Sequence, residues 1–245
     1  MEPKISVILN CYKRFDSLPL QLQAIENQTI KPHEILIWVN ASEEYKKTDK
    51  KIFNNYKTVI SNYNFGVWPR FYHAMNTTGD YVCLFDDDTI PGKKWFENCM
   101  TEMNKQEGLY GTRGLVFSNY NYDYSEDIGW HSGNETTRQV DIVGHAWFFP
   151  KKFASAFCRE TETPSSSLCG EDIHFSYSIQ KYMNGKTFVP PHPVTDLEMW
   201  GSIPKYGMHW GCDKNAISTN PDAHPRFQKA LASYKDKGFK LLNVK

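Results

Sequence analysis

Apolar residues in the first hundred positions come in short blocks separated by polar turns. Ile5-Ser6-Val7-Ile8-Leu9, Glu34-Ile35-Leu36-Ile37-Trp38-Val39 and Tyr81-Val82-Cys83-Leu84-Phe85 are rich in β-branched and aromatic side chains. Short runs of that type predict strands buried on both faces. Residues 56–61 predict one more strand. Ser17 is placed to cap a helix carrying Leu18, Leu20, Leu22 and Ile25, with Pro19 in its first turn. Residues 68–76 and 95–103 predict two further helices, and Gly79 follows the first. Strand and helix alternate about every 15–25 residues, the rhythm of βαβ units and a parallel sheet with right-handed crossovers. Ligands in such sheets bind beyond the carboxyl ends of the strands. The polar turn Asn10 to Arg14 falls there, and so do three carboxylates directly after Phe85.

The pattern loosens after residue 105. Residues 111–130 are rich in Gly, Asn, Tyr and Asp and have weak periodicity. Residues 140–149 predict one or two strands, 151–157 a short helix, 161–170 a polar loop, 172–182 a helix and 187–189 a strand. Residues 190–220 are irregular and full of Pro, Gly and aromatics, which predicts a functional lid. A last helix is expected over 225–235. No internal repeat is visible.

Composition narrows the choices. The 28 basic and 28 acidic residues cancel, which weighs against a protein that coats nucleic acid, because phosphate binding needs a basic field. Hydrophobic content of 40% with 15% aromatics excludes disorder. Seven Trp, 14 Tyr and 15 Phe exceed what one core requires, so some are expected to line a binding surface. No run of about 18 apolar residues occurs, so no transmembrane segment is expected. No secretory pattern precedes Ile5. The six cysteines are scattered without a C-x-x-C pair. They read as reduced thiols in a cytoplasmic protein.

Three places carry candidate chemistry. Asp86-Asp87-Asp88 follows an apolar strand, and adjacent carboxylates repel unless exposed or neutralised by a cation. Alternation at a strand end lets Asp86 and Asp88 share one side, which suits a hard divalent cation that also grips a phosphate. Glu171-Asp172 opens a predicted helix, where the macrodipole favours acidic residues and a carboxylate could serve as general base to an acceptor hydroxyl. Arg70 stands in the first turn of the helix after Asn64-Phe65-Gly66, and only six of the 28 basic residues are arginines. A helix start with a guanidinium is a natural diphosphate site. His192, His209 and His224 offer an imidazole to complete a metal–phosphate site. Trp147, Trp200 and Trp210 could stack on sugar or base faces.

Together these residues resemble the GT-A fold glycosyltransferases, in particular the family 2-like enzymes. The opening I-S-V-I-L-N-C-Y-K-R looks like their first strand and nucleotide loop. Asn64-Phe65-Gly66, Arg70, Ala74-Met75-Asn76 and Gly79-Asp80-Tyr81 run into Asp86-Asp87-Asp88 in the family's order and spacing. Residues 144–149 resemble the acceptor-side strand, Glu171-Asp172 the E-D motif, and the match covers roughly residues 4–196.

The resemblance implies an α/β GT-A fold, a Rossmann-like nucleotide-binding unit. Its sheet would be mostly parallel, with helices on both faces and a smaller acceptor-side region. It implies one domain over 1–245, with 1–105 the nucleotide-sugar half and 106–245 the acceptor half and lid. The implied activity is a metal-dependent, inverting transfer of a sugar from a nucleotide-diphosphate donor to a hydroxyl of a glycan or other acceptor. Asp88 and Asp86 would bind Mn²⁺ or Mg²⁺, and Asp86 or Asp87 would hold the ribose. Asn10, Asn40 and Arg70 would line the base and phosphates. Asp172 would be the base, with Glu171 its neighbour. Asn40 stands where many relatives carry Asp. The third metal ligand is expected among His192, Asp196 and His209, with His192 preferred. A nucleotidyltransferase would show a Gly-rich loop after strand one, which Asn10 to Arg14 lacks. A non-catalytic sugar-binding module is the other alternative.

Overall fold

The computed structural model describes residues 3–130, 132–160 and 169–244. Most of the polar loop expected over 161–170 therefore lies outside the described residues. Among the described residues one nine-stranded sheet organises the fold, in the order β3-β2-β1-β4-β8-β5-β9-β7, with β6 added on β5. Its first half is β1 (Ile5–Cys11), β2 (Glu34–Val39), β3 (Lys57–Ile60) and β4 (Tyr81–Phe85), all parallel. The intervening helices are α1 (Leu18–Glu26), α2 (Glu43–Lys47) and α3 (Pro69–His73). After β4 come α4 (Trp95–Lys105), β5 (Leu109–Phe117), β6 (Tyr124–Gly129), β7 (Arg138–Val140) and β8 (Ile142–Pro150). The chain continues through α5 (Ala154–Phe157), α6 (Glu171–Met183), β9 (Thr187–Val189), α7 (Pro204–Trp210) and α8 (Ala223–Asp236).

The strands are parallel only as far as β4. β8 runs antiparallel to β4, and β5 antiparallel to β8. The whole sheet is therefore mixed, a parallel half joined to a half dominated by antiparallel pairs. β1 is buried along its full length. Ile5, Val7, Leu9 and Cys11 face a layer containing Leu18, Leu22 and Ile25 of α1 and Trp95, Phe96 and Cys99 of α4. Ile8 faces the opposite layer, with Phe71 of α3, Phe157 of α5 and Phe175 and Ile179 of α6. Helices thus cover both faces. Each fully buried side chain of this size contributes about 1.5–3 kcal/mol.

Three local expectations change. Asn10 and Cys11 are not in a turn, because they pair with Trp38 and Val39 and extend β1. Ser17 makes no side-chain cap for α1; its hydroxyl donates to the carbonyls of Arg14 (2.8 Å) and Asp87 (2.6 Å). Residues 111–130, weakly patterned in sequence, contain most of β5 and all of β6. β5 is central, hidden between β8 and β9, so it shows no polar alternation. Its glycines reflect close packing: a Cβ on Gly111 would stand 2.3 Å from the Cβ of Val143.

Candidate active site

A cavity of about 660 Å³ opens at the carboxyl ends of β1, β2 and β4. Asn10, Asn40, Arg70, Asp86, Asp87, Asp88, Glu171 and Asp172 all line it, although they are spread over 163 positions of sequence numbering from 10 to 172. Its size suits a nucleotide-sized ligand.

The acidic tripeptide is held by its backbone. The amide of Asp86 donates to the His145 carbonyl at 3.0 Å. Gln21 Nε2 donates to the carbonyls of Asp86 (2.7 Å) and Thr89 (2.8 Å). Two arginines then flank the carboxylates. Arg70 Nη1 lies 2.5 Å from Asp86 Oδ1, and its Nη2 lies 2.9 Å from Glu171 Oε1. Its guanidinium stacks 4.8 Å from the centre of the Trp147 ring, and its buried Nε has no partner. Arg14 Nη1 lies 2.7 Å from Asp87 and 3.4 Å from Asp88, and Nη2 lies 2.8 Å from Asp213. Burial opposes the charge of Arg14, but Asp213, Asp87 and Asp88 outweigh it and hold the guanidinium protonated.

Burial raises all three aspartates. Asp87 reaches about 7, with the charge of Asp88 adding to burial and Arg14 opposing it. Asp86 and Asp88 are also raised, by burial first, against the pull of Arg70 and Arg14 respectively. Such a site invites a cation. Asp86, Asp88 and His145 each offer a ligand atom, and these atoms lie within 4.8 Å of one another. Burial drives His145 down to about 4, so its imidazole is neutral and carries a lone pair. Two carboxylates with a neutral imidazole suit Mn²⁺, and less specifically Mg²⁺.

His145 enters through an irregularity in β8. Between the pairs Gly111–Trp147 and Arg113–Gly144 the β8 strand has one residue more than β5. This bulge leaves His145 at φ 66°, and bulges re-aim side chains beside active sites. Tyr122 and Trp130 also have positive φ and line the same cavity. The ring of Trp130 stacks on that of His145 with centroids 5.1 Å apart.

The expected third ligands lie elsewhere. His192 is fully buried between Trp95 and Trp200, with ring centroids at 5.6 and 5.4 Å. Its Nδ1 meets the Pro190 carbonyl at 2.8 Å, and its Nε2 meets Thr112 Oγ1 (3.2 Å) and the Gly201 amide (3.3 Å). Both nitrogens are occupied by the fold, so His192 is a packing residue. Asp196 pairs with Lys94 at 2.8 Å, and His209 packs on Trp210. None of the three lines the cavity. The signal for His145 was a lone polar residue beside a glycine in the otherwise apolar run Ile142–Pro150.

Asn40 lines the cavity, but its amide is engaged. Its Oδ1 accepts from Trp38 Nε1 (3.1 Å) and the Phe65 amide (3.2 Å), and its Nδ2 donates to the Gly66 carbonyl (2.9 Å). It fastens the loop after β3 to the end of β2. Asn10 is buried with its Oδ1 unpartnered, and so keeps an acceptor for a ligand.

Glu171 and Asp172 begin α6 behind Gly170, whose φ of 90° is left-handed. Burial raises Glu171 to about 8 despite Arg70, with Asp172 and Asp86 adding to the rise. Burial raises Asp172 to about 6, opposed by the Ile173 amide at 2.7 Å and reinforced by Asp86. Arg70 thus joins the acidic strand end to the start of α6. Sequence reasoning missed Arg14, Arg113 and Tyr122. Arg113 is paired with Asp127 at 2.6 Å and lies 5.4 Å from the Trp130 ring centre. Of the three tryptophans expected to stack on sugar or base faces, Trp147 lines the cavity, whereas Trp200 is buried against His192 and Trp210 packs on Tyr206 and His209 outside it.

The sequence profile described as Glycosyl transferase family 2 matches residues 6–160. No curated protein matches the chain in sequence. The crystal structure of S. aureus TarS 1-349 in complex with UDP-GlcNAc is similar at 16% identity and a TM-score of 0.54, covering 76% of this chain and 55% of that one. A second structure of the TarS fragment aligns over 99% of this chain and 75% of that one, with 14% identity and a TM-score of 0.58. The mannosyltransferase PcManGT from Pyrobaculum calidifontis, in complex with GDP-Man and Mn²⁺, aligns over 97% of this chain and 76% of that one, at 15% identity and a TM-score of 0.52. At such identities the likeness is one of fold. This chain spans little more than half of the nucleotide-sugar-bound TarS fragment. Among the described residues, no helix is long and apolar enough to cross a membrane.

Proposed function

The chain belongs to glycosyl transferase family 2, and from that premise we propose that it transfers a sugar from a nucleotide-diphosphate donor to a hydroxyl acceptor, with a divalent cation and inversion at the anomeric carbon. One observation carries this reading. A cation-ligand group (Asp86, Asp88, His145) and a carboxylate with a raised pKa (Asp172) line one cavity, with Arg70 paired to Asp86 and to Glu171 beside Asp172. The nucleotide sugars named with the similar structures, UDP-GlcNAc and GDP-Man, support the donor class. We assign residues 1–105 to donor binding and 106–245 to the acceptor side of a single domain, with His145 contributed across that division. The six unpaired cysteines favour a reducing compartment, the cytoplasm.

Mn²⁺ or Mg²⁺ held by Asp86, Asp88 and His145 would neutralise negative charge on the departing diphosphate. The residues of the chain do the rest. Asn10 presents a free acceptor to the nucleoside, and Arg70 offers its unpartnered Nε toward the phosphates. Arg14 keeps Asp87 and Asp88 in place. Asp172 accepts the proton of the acceptor hydroxyl as the acceptor oxygen bonds to the anomeric carbon. The bond from that carbon to the diphosphate breaks, and its electron pair leaves with the diphosphate. Attack from the side of Asp172, opposite the leaving group, inverts the centre. A water-poor, preorganised site strengthens each of these interactions.

The test is a thermal-shift screen of UDP-GlcNAc, GDP-Man and their parent diphosphates with and without Mn²⁺. A ligand at 100 times its Kd adds about 2.7 kcal/mol, roughly 5–10 °C for a chain of this size. At least one nucleotide sugar should shift the wild type with Mn²⁺, and Asp88→Asn should lose that shift while melting normally. No shift from any of them, or an equal shift in Asp88→Asn, refutes the reading.

A further inference from the structure

Glycine in a strand interior weakens the strand and commonly marks a place where another group comes close. Fourteen of the 15 glycines have such a reason within the fold: a φ in the left-handed region, or an atom no more than 3.3 Å from where a Cβ would stand. Gly144 has neither. It sits in β8 with ordinary φ, and a Cβ there would meet nothing within 4 Å. Backbone and packing both leave room for a side chain, and a β-branched residue would suit the strand better.

Where that room lies is informative. Gly144 lines the cavity, immediately before the bulged His145 and opposite Arg113 in the ladder. His145 belongs to the cation-ligand group; Trp147, three residues on, carries the Arg70 guanidinium that reaches Glu171. The room beside Gly144 therefore belongs to the same cavity that Asp86, Asp88 and the carboxylates of α6 line. We infer that Gly144 holds open the subsite for the transferred sugar ring and limits the size of sugar the donor can carry. The inference deepens the donor reading above and rests on it.

Calorimetry with UDP, GDP, UDP-GlcNAc and GDP-Man in Mn²⁺, on wild type, Gly144→Ala and Gly144→Val, tests it, with a melting curve for each protein. For the nucleotide that binds wild type, the diphosphate alone should bind both variants within about twofold of wild type. The corresponding nucleotide sugar should lose about tenfold or more in Gly144→Val, as a misplaced methyl-sized group in a fitted pocket does. Melting temperatures should equal or exceed wild type. Unchanged nucleotide-sugar affinity in Gly144→Val, a parallel loss of diphosphate and nucleotide sugar, or a lowered melting temperature would each overturn the assignment. Wild type that binds no nucleotide at all fails at the donor reading itself, and the inference falls with it.

Discussion

Asp172→Asn separates catalysis from folding. Asp172 is held at about 6 by burial and the charge of Asp86, against the Ile173 amide. As a general base it must be ionised, so kcat/KM should rise about tenfold per pH unit below 6 and level off above about 7. A cation on Asp86 and Asp88 removes one cause of the elevation, so saturating Mn²⁺ should move the rise to lower pH. Asparagine keeps an oxygen for the Ile173 amide but cannot take the proton. Losing a general base costs about 10²–10⁴-fold, or about 2.7–5.4 kcal/mol in the barrier.

Stability should go the other way. A carboxyl whose folded pKa is raised contributes stability that is complete below its ordinary value of 3.8 and lost as pH rises through about 6. Asparagine stays neutral, so at pH 8 the variant should be as stable as wild type or more so, by at most about 3 kcal/mol. Diphosphate release from the donor, with water as acceptor, followed from pH 5 to 8.5 together with urea melts, reads both. More than a tenth of wild-type kcat/KM in Asp172→Asn, or a flat wild-type profile across pH 6, would refute the assignment of the base.

Two further predictions concern placement and the frame. His145→Ala should weaken Mn²⁺ binding by about tenfold or more with little effect on melting. His192→Asn should leave Mn²⁺ binding unchanged but destabilise by about 2–4 kcal/mol, because it strips buried partners from Thr112, Gly201 and Pro190; manganese titration and urea melts distinguish the two. Glu160 accepts from Lys181 (2.6 Å) and Tyr182 (2.5 Å) and lies near Lys237. Burial alone would raise its pKa, but these partners hold it near 2 against an ordinary 4.5. Glu160→Gln should lose about 1–2 kcal/mol at neutral pH, less than the full shift implies because Lys181 and Lys237 are screened by solvent. The deficit should shrink as pH falls from 4.5 toward 2, since this contribution is present above 4.5 and lost through 2; an unchanged gap at pH 3 in urea melts would refute it.

The alternation of apolar blocks by itself determined β1, β4 and the helices beside them, because strands buried on both faces must be apolar and helices must carry a stripe, whereas β2 is only half-buried and the edge strand β3 is mostly exposed. It also determined that carboxylates stand at a strand end and at a helix start. Arg70 and Asp172 could be singled out because charge at those positions has a local reason to matter. Tertiary structure alone decided the third member of the candidate cation-ligand group. His192 and His145 are both lone histidines among apolar residues. What separates them is that Thr112, Gly201 and Pro190 consume the first, while a bulge opposite β5 turns the second toward Asp86 and Asp88. Neither fact has a local sequence cause, since each depends on strands that meet only in the folded sheet. The same holds for Asn40, whose amide is taken up by a loop 25 residues away, and for Arg14, whose partners lie 73 and 199 residues distant. Sequence periodicity reports which face of an element is buried; which groups face one another across the cavity is set by strand order and register.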